Sequence, residues 1–259
     1  MKIITFLSDF GLTDGYVGSV KGAIFSNFPE ARVIDITHEI KPFQIEEAAY
    51  TLMSYYSFYP KDTVHLAVVD PGVGGKRAPL IIKTANYYLV GPDNGLFSYL
   101  YQKEAYTAYE INTNMFDPNI SATFHGRDIF APVAAKLARG VKPELLGTLF
   151  EQKPVDFAKH ISEKQTEFEA KIISVDRFGN IITDFSMFEY DAQAAKRIKS
   201  ISIKDHELKT IKRTYSDVKN GDLLALWGSA GFLEISVNKG NAAEVLKCKV
   251  GDNNIRIKF

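Results

Sequence analysis

The stretch Val68-Val69-Asp70-Pro71-Gly72-Val73-Gly74-Gly75-Lys76-Arg77 decides how the chain is read. Thr63 to Val69 is apolar or β-branched at nearly every position, the mark of a strand buried on both faces. It runs into a carboxylate, a proline, three glycines within four positions and two cations. Asp70 therefore stands at the carboxyl end of a buried strand, where open α/β sheets bind ligands. The glycines let the loop fold back, so that Arg77 can reach Asp70 and fix the direction of its carboxylate. A strand-ending Asp-Pro turn with a surface ion pair is the plainer account of the same residues.

Composition narrows the partners. The 259 residues carry 31 Lys and Arg against 31 Asp and Glu, a formal charge of zero, and no basic stripe stands out. That argues against nucleic acid and against an anionic membrane surface. A small neutral or zwitterionic ligand fits better. Cys248 is the one cysteine, so neither an intrachain disulfide nor a cysteine metal cluster is available. An acid at Asp9 comes too early for a signal peptide, and no apolar run approaches membrane-spanning length. The expectation is a soluble, cytoplasmic protein.

In chain order, Ile3 to Leu7 reads as a buried strand, followed by the loop Ser8-Asp9-Phe10-Gly11-Leu12-Thr13-Asp14-Gly15. A helix is expected from about Tyr16, with Val17, Val20 and Ile24 on one face. The glycines do not match a dinucleotide fingerprint, and the P-loop lysine pattern is missing. Two acids here would repel a phosphate but suit ribose hydroxyls or a cation, so a nucleoside is the better fit. Thr13 or Asp14 reads as a helix N-cap. Arg32 to Ile36 is a second strand, and a helix from Glu46 buries Ala49, Leu52, Met53 and Tyr56. Leu80–Lys83 and Tyr87–Val90 read as a hairpin about Asn86, and Pro92-Asp93-Asn94-Gly95 as a turn before a helix. Alternating strands and helices predict an α/β domain over 1–152, a mainly parallel sheet sandwiched by helices. Within it, Thr123-Phe124-His125-Gly126-Arg127-Asp128 precedes a helix. His125 at such a place is structural more often than chemical, and Arg127 and Asp128 read as capping and packing residues.

Residues 153–167 are charged and aperiodic and read as a linker. From 168 to 259 the pattern turns to strands (Phe168–Val175, Ile181–Phe185, Ile198–Ile203, Leu223–Trp227 and Leu233–Val237), predicting a smaller antiparallel β-barrel-like domain. Asp176-Arg177-Phe178-Gly179-Asn180 is a tight turn between two of them.

Taken together, Ser8-Asp9-Phe10-Gly11 with Asp14, Asp70-Pro71-Gly72-Val73-Gly74 with Arg77, Thr123-Phe124-His125-Gly126-Arg127-Asp128 and Asp176-Arg177-Phe178-Gly179-Asn180 occur in an order and spacing that resembles the S-adenosyl-L-methionine (SAM) hydroxide adenosyltransferases, or SAM hydrolases. The resemblance spans essentially the whole chain. These enzymes share their fold with the fluorinating and chlorinating adenosyl enzymes. The resemblance implies attack of water or hydroxide on the ribose 5′ carbon of SAM, releasing adenosine and L-methionine. It implies that Asp70 accepts a proton from the water, that Arg77 fixes Asp70, and that His125 orients the water or relays its proton. No metal-ligand spacing or redox-cofactor fingerprint appears in the sequence, so no metal or cofactor is expected.

Substrate contacts carry over residue by residue. Asp9 matches the ribose ligand, Phe178 and Tyr215 the aromatics around adenine, and Phe43 and Phe124 walls near the ribose and reacting carbon. Asp176 and Asn180 match polar groups around the methionine part and adenine, and Ser229, Glu234, Val237 and Asn238 lie in segments matching the remaining contacts. Ala230 stands where the halogenases keep an arginine for the methionine carboxylate. The halogenases also carry an aromatic residue in place of Asp70, a halide-contacting serine at the position of Gly126 and, in the fluorinating enzymes, an inserted loop before the segment matching Tyr87. The family is implied to work as a homotrimer with sites at subunit interfaces. An adenosyl halogenase and a non-catalytic nucleoside- or SAM-binding protein are the alternative readings.

Overall fold

The computed structural model describes residues 2–116, 120–158, 166–188 and 197–259. They divide into two compact units, Met1–Phe157 and Ala158–Phe259.

The first unit is a seven-stranded sheet covered by helices on both faces. Its elements are β1 (Ile3–Ser8), α1 (Tyr16–Asn27), β2 (Arg32–Thr37), α2 (Ile45–Tyr55), β3 (Thr63–Val68), β4 (Pro79–Lys83), β5 (Tyr87–Pro92), α3 (Ser98–Lys103), β6 (Thr107–Ile111), α4 (Ala131–Ala138) and β7 (Gly147–Leu149). The strand order is β2-β1-β3-β5-β4-β6-β7. Every residue of β1 and β3 is buried, and the period-two alternation of strand side chains explains why. Ile4, Phe6, Val64 and Leu66 share one core with Val17, Val20 and Ile24 of α1 and Val133, Ala134 and Leu137 of α4. Their neighbours Thr5 and His65 point to the opposite face, where Tyr55 of α2 meets them.

The mainly parallel sheet expected from the sequence needs correction. β1–β2, β1–β3 and β3–β5 are parallel, but β4–β5, β4–β6 and β6–β7 are antiparallel. Parallel neighbours need a crossover of a dozen or more residues, and β4 and β5 are joined only by Thr84–Asn86. Thr84 Oγ1 closes that turn by accepting the N–H groups of Asn86 at 3.3 Å and Tyr87 at 3.0 Å. The helix cap also differs from expectation: Gly15, not Thr13 or Asp14, is the N-cap of α1, and it has no side-chain capping hydrogen bond to offer.

The second unit holds β8 (Glu167–Ala170), β9 (Ile172–Val175), β10 (Ile181–Ser186), β11 (Ser200–Ile203), β12 (His206–Leu208), β13 (Ile211–Lys212), β14 (Leu223–Trp227), β15 (Phe232–Val237), α5 (Ala242–Leu246) and β16 (Ile255–Lys258). Among the described residues they form two open sheets, ordered β13-β14-β15-β10-β9 and β12-β11-β16-β8, where the sequence suggested one barrel. All pairings but β13–β14 are antiparallel. The apolar run Phe168–Val175, expected as one strand, breaks at Lys171 and serves both sheets. Asp184 makes the break possible, its Oδ1 accepting the Lys171 N–H at 2.7 Å. Phe168, Ile172, Phe185, Ile201, Leu233, Ile235 and Ile257 form the shared core.

Of the stretch 153–167 read as a linker, 159–165 lie outside the described residues. Val155 and Phe157 are bonded into the first unit, through Asp93 Oδ1 at 2.8 Å and Ser98 Oγ at 3.1 Å.

Candidate active site

The carboxyl end of β3 delivers Asp70, and the loop after it turns back at once. Val73 N–H bonds to Asp70 O and Gly75 N–H to Gly72 O. Gly74 has φ +73°, a region that favours glycine, and a Cβ there would stand 2.2 Å from the carbonyl oxygen of Ala122. The Asp70 loop is thus pressed against the loop that carries His125. The fold-back brings Arg77 onto Asp70, with Nε 3.0 Å from each carboxylate oxygen and Nη2 on Oδ2. Both side chains are buried, at 9% and 6% exposure. The guanidinium also lies 5.3 Å from the Phe130 ring centroid.

His125 enters from the segment before α4. Gly126–Phe130 forms one wide, π-type turn, in which the Ala131 N–H reaches back to the Gly126 carbonyl. Pro132 in the first turn of α4 accounts for the widening, since it lacks an N–H and its ring crowds the carbonyl four residues back. Such turns recur at functional sites. Arg127 and Asp128 behave as packing residues. They pair with each other, Asp128 Oδ2 accepts the Ser121 N–H at 2.8 Å, and Arg127 lies 4.9 Å from the Phe124 ring centroid.

His125 Nδ1 is 2.8 Å from Arg77 Nη2. A guanidinium only donates, so Nδ1 accepts and the imidazole proton sits on Nε2. Burial, then the Arg77 cation, hold the imidazole below its ordinary pKa, while Asp70 and Asp128 pull weakly the other way. The imidazole is therefore a neutral group with one N–H to offer.

A cavity of about 380 Å³ lies in front of these groups, with Asp9, Asp70, Thr123 and His125 as its polar wall and Phe10, Tyr16, Phe43 and Phe124 as its aromatic one. That size suits a small-molecule site. Arg77 does not line it and stands behind Asp70. Asp9, at the end of β1, accepts the Phe43 N–H at 3.0 Å. Phe43 has φ +69° and a ring left 67% exposed, a conformation that is unusual for a bulky residue and needs support. Asp9 supplies that support. Burial pushes the Asp9 carboxyl up and the Phe43 N–H opposes this, while the charge of Asp70 adds to the rise. His38 braces the same loop. Its Nδ1 is 2.8 Å from Ser8 Oγ, its Nε2 3.2 Å from Asp35, and its carbonyl accepts the Gly11 N–H.

The sequence missed Phe10 and Tyr16 as cavity walls. Their rings stand 5.9 Å apart, each packed against Phe124. Aromatics flanking the acids of the first loop were the available signal.

The remaining candidate residues lie on the second unit. Asp176 Oδ1 accepts the N–H groups of Phe178 and Asn180, both at 2.9 Å, and Asn180 Nδ2 donates to Oδ2 at 2.9 Å. Gly179, with φ +82°, lies where a Cβ would overlap Asn241. This rigid turn holds the Phe178 ring 75% exposed. Glu234 is buried, and its Oε1 accepts from Tyr215 and Ser236, both at 2.7 Å. Asn238 Nδ2 donates to Val218 O at 2.8 Å. Val237 is buried beside it, and Ser229 lies in the turn after β14. Among the described residues, no group of three or more His, Cys, Asp or Glu side chains is placed to hold a metal ion, and no helix is long and apolar enough to cross a membrane.

Comparison with known proteins identifies the family. Residues 4–147 match the SAM hydroxide adenosyltransferase N-terminal domain and residues 170–255 its C-terminal domain. The (R)-S-adenosyl-L-methionine hydrolase of Methanocaldococcus jannaschii is 39% identical, covering 95% of this chain and 92% of that one. The enzyme of the same name from Thermus thermophilus is 36% identical, covering 97% and 98%. A fluorinase from Nocardia brasiliensis is more distant, at 25% over 96% of this chain and 94% of that one. The crystal structure of an uncharacterized conserved protein from Thermotoga maritima superposes with a TM-score of 0.82 at 36% identity, covering 99% of this chain and all of that one. The chain belongs to the SAM hydroxide adenosyltransferase family.

Proposed function

We propose that this chain hydrolyses S-adenosyl-L-methionine to adenosine and L-methionine. The observation that carries the reading is the Asp70–Arg77–His125 cluster opening on one cavity. Water attacks the ribose 5′ carbon, and the carbon–sulfur electron pair departs with sulfur as the neutral thioether of methionine. The sulfonium needs no protonation to leave, and no metal or redox cofactor enters the step. The water oxygen gains positive charge as it attacks, and Asp70 takes its proton. Such a positioned acceptor is worth ~10²–10⁴ in rate. Arg77 holds the carboxylate by two nitrogens and His125 donates its Nε2 hydrogen to the water oxygen. A proton relay through His125 would first have to break its bond to Arg77, so orientation is the role this geometry favours.

Asp9 takes the ribose hydroxyls, with Phe43 and Phe124 beside the sugar and reacting carbon. Phe178 and Tyr215 enclose adenine. Asp176, Asn180, Ser229, Glu234, Val237 and Asn238 complete the adenine and methionine contacts. The nucleophile side lies on the first unit and these latter groups on the second. The family resemblance joins them by a homotrimer, in which the first unit of one subunit meets the second unit of the next. A cytoplasmic location belongs to the same reading. The names of the hydrolase relatives specify the R configuration at sulfur, and that epimer is the substrate proposed here.

A halide in place of water is disfavoured by Asp70, since like charges repel strongly in a dry pocket. A Cβ on Gly126 would come within 3.3 Å of the Phe10 ring, so a serine there requires that ring to give by a few tenths of an ångström. The test is chromatography of each sulfur epimer of SAM incubated with the protein, with and without chloride. Adenosine and methionine in chloride-free buffer support the hydrolase. A 5′-halo-5′-deoxyadenosine formed only with halide indicates a halogenase, and binding without turnover indicates a binding protein.

A further inference from the structure

The turn Pro92-Asp93-Asn94-Gly95, legible in sequence only as a turn, lies beneath the Asp70–Arg77 loop and holds both of its stems. Asn94 Nδ2 donates to the Val69 carbonyl at 2.8 Å, the peptide oxygen immediately before Asp70. The Asp93 N–H donates to the Ala78 carbonyl at 2.8 Å, immediately after Arg77. Both carbonyls lie outside the ladders, β3 ending at Val68 and β4 beginning at Pro79. The Asn94 amide is fixed in turn, its Oδ1 accepting the Leu96 N–H at 3.3 Å. The turn is anchored from behind by the Val155 and Phe157 N–H groups on Asp93 and Ser98.

This arrangement has a consequence for the base. A loop with three glycines has many backbone states open to it, and the ion pair by itself fixes the two side chains only relative to each other. The Val69–Asp70 peptide plane sets where the Asp70 Cα–Cβ bond points, and the Asn94 amide clamps the oxygen of that plane. We infer that Asn94 is a positioning residue for the hydrolysis, aiming the Asp70 carboxylate into the cavity through the Val69 carbonyl. The inference rests on Asp70 being the proton acceptor.

The test is a double-mutant cycle on the full chain, built from Asn94→Ala, Asn94→Asp, Asp70→Asn and the combinations. It is read as kcat and KM for SAM, with thermal unfolding run alongside. Asn94→Ala lowers kcat by about 10- to 100-fold, the scale on which a misplacement near 1 Å acts, and leaves KM within about twofold. Asn94→Asp keeps the volume but turns lone pairs towards the Val69 carbonyl, and it loses at least as much. In the Asp70→Asn background either change costs less than about twofold further, because the aim of an absent base no longer matters. Full additivity in that background overturns the inference, as does a kcat near wild type in both single variants, or a rise in KM with kcat unchanged. Should Asn94→Ala not fold, the isosteric Asn94→Asp carries the cycle. If Asp70→Asn alone turns over like wild type, the assignment of the base fails and the inference falls with it.

Discussion

Arg77 Nη2 lies 2.8 Å from His125 Nδ1, and that contact fixes what each residue can do. The arginine has only hydrogens to give, so the imidazole accepts on one side and donates from the other. Two groups that could each have been a base are thereby sorted. Asp70 keeps acceptor capacity facing the cavity, and His125 becomes a donor.

Replacing the proposed base tests this division directly. Asp70→Asn keeps the size of the side chain and removes its basicity. Turnover of SAM falls by about 10²–10⁴-fold, while binding measured by calorimetry stays within a few-fold. Wild-type turnover in this variant would mean that another group takes the proton.

The ion pair is buried, so breaking it costs stability. Arg77→Met leaves Asp70 without a cation and lowers the unfolding free energy by about 3–5 kcal/mol. Adding Asp70→Asn to Arg77→Met restores most of that loss, because two neutral groups no longer need one another. Denaturant unfolding of the three variants measures both effects.

The pH response of His125 follows from its neighbours. Burial and Arg77 lower its folded pKa below the 6.5 of a free imidazole. Between the two values the unfolded chain binds more protons, so stability is lost as pH falls through that window. NMR titration of the His125 ring therefore shows a midpoint below 6.5. In Arg77→Met the midpoint moves up, since a repelling cation is gone. A midpoint unchanged by that substitution would contradict the contact.

His65 provides a second, structural titration. It is fully buried on β3, bonded to Thr5 at 2.8 Å and ringed by Tyr55, Tyr59 and Tyr87. Burial pushes its pKa down to about 3. Stability therefore declines as pH drops below the unfolded value near 6.5 and levels off near 3. His65→Gln keeps a partner for Thr5 without a titrating ring, and its unfolding midpoint falls less steeply across that range.

Gly74→Ala addresses the packing of the two loops. The new methyl carbon would meet the Ala122 carbonyl at 2.2 Å, and φ +73° adds strain. Both the Asp70 loop and the His125 loop must shift, and kcat falls by about 10²-fold. A variant with wild-type kcat would show that the loops can separate freely.

Much of this was written locally. β1 and β3 declared themselves by runs apolar or β-branched at nearly every position, and Ala49, Leu52 and Met53 of α2, with Tyr56 just past its end, are buried as their spacing required. Asp70 and Arg77 are close in sequence, so a glycine loop was enough to bring them together, and His125 came from a motif. What stayed hidden depends on distant partners. The hairpin about Asn86 was visible, but not its insertion beside β6, which turns half the sheet antiparallel. The split of Phe168–Val175 depends on Asp184, thirteen residues beyond Lys171. Asn94 acts on a carbonyl 25 residues earlier, and nothing in a Pro-Asp-Asn-Gly turn announces that.

The acids at the mouth of the sheet bear on how the enzyme empties itself. Asp9 and Asp70 sense each other across the cavity, and the Arg77 guanidinium is paired with Asp70 rather than with Asp9. A sulfonium is drawn into such a place, but hydrolysis abolishes the cation and leaves an uncharged nucleoside and a zwitterion with no net charge. The electrostatic grip disappears in the same event that breaks the bond, so the turnover cycle carries its own eviction step.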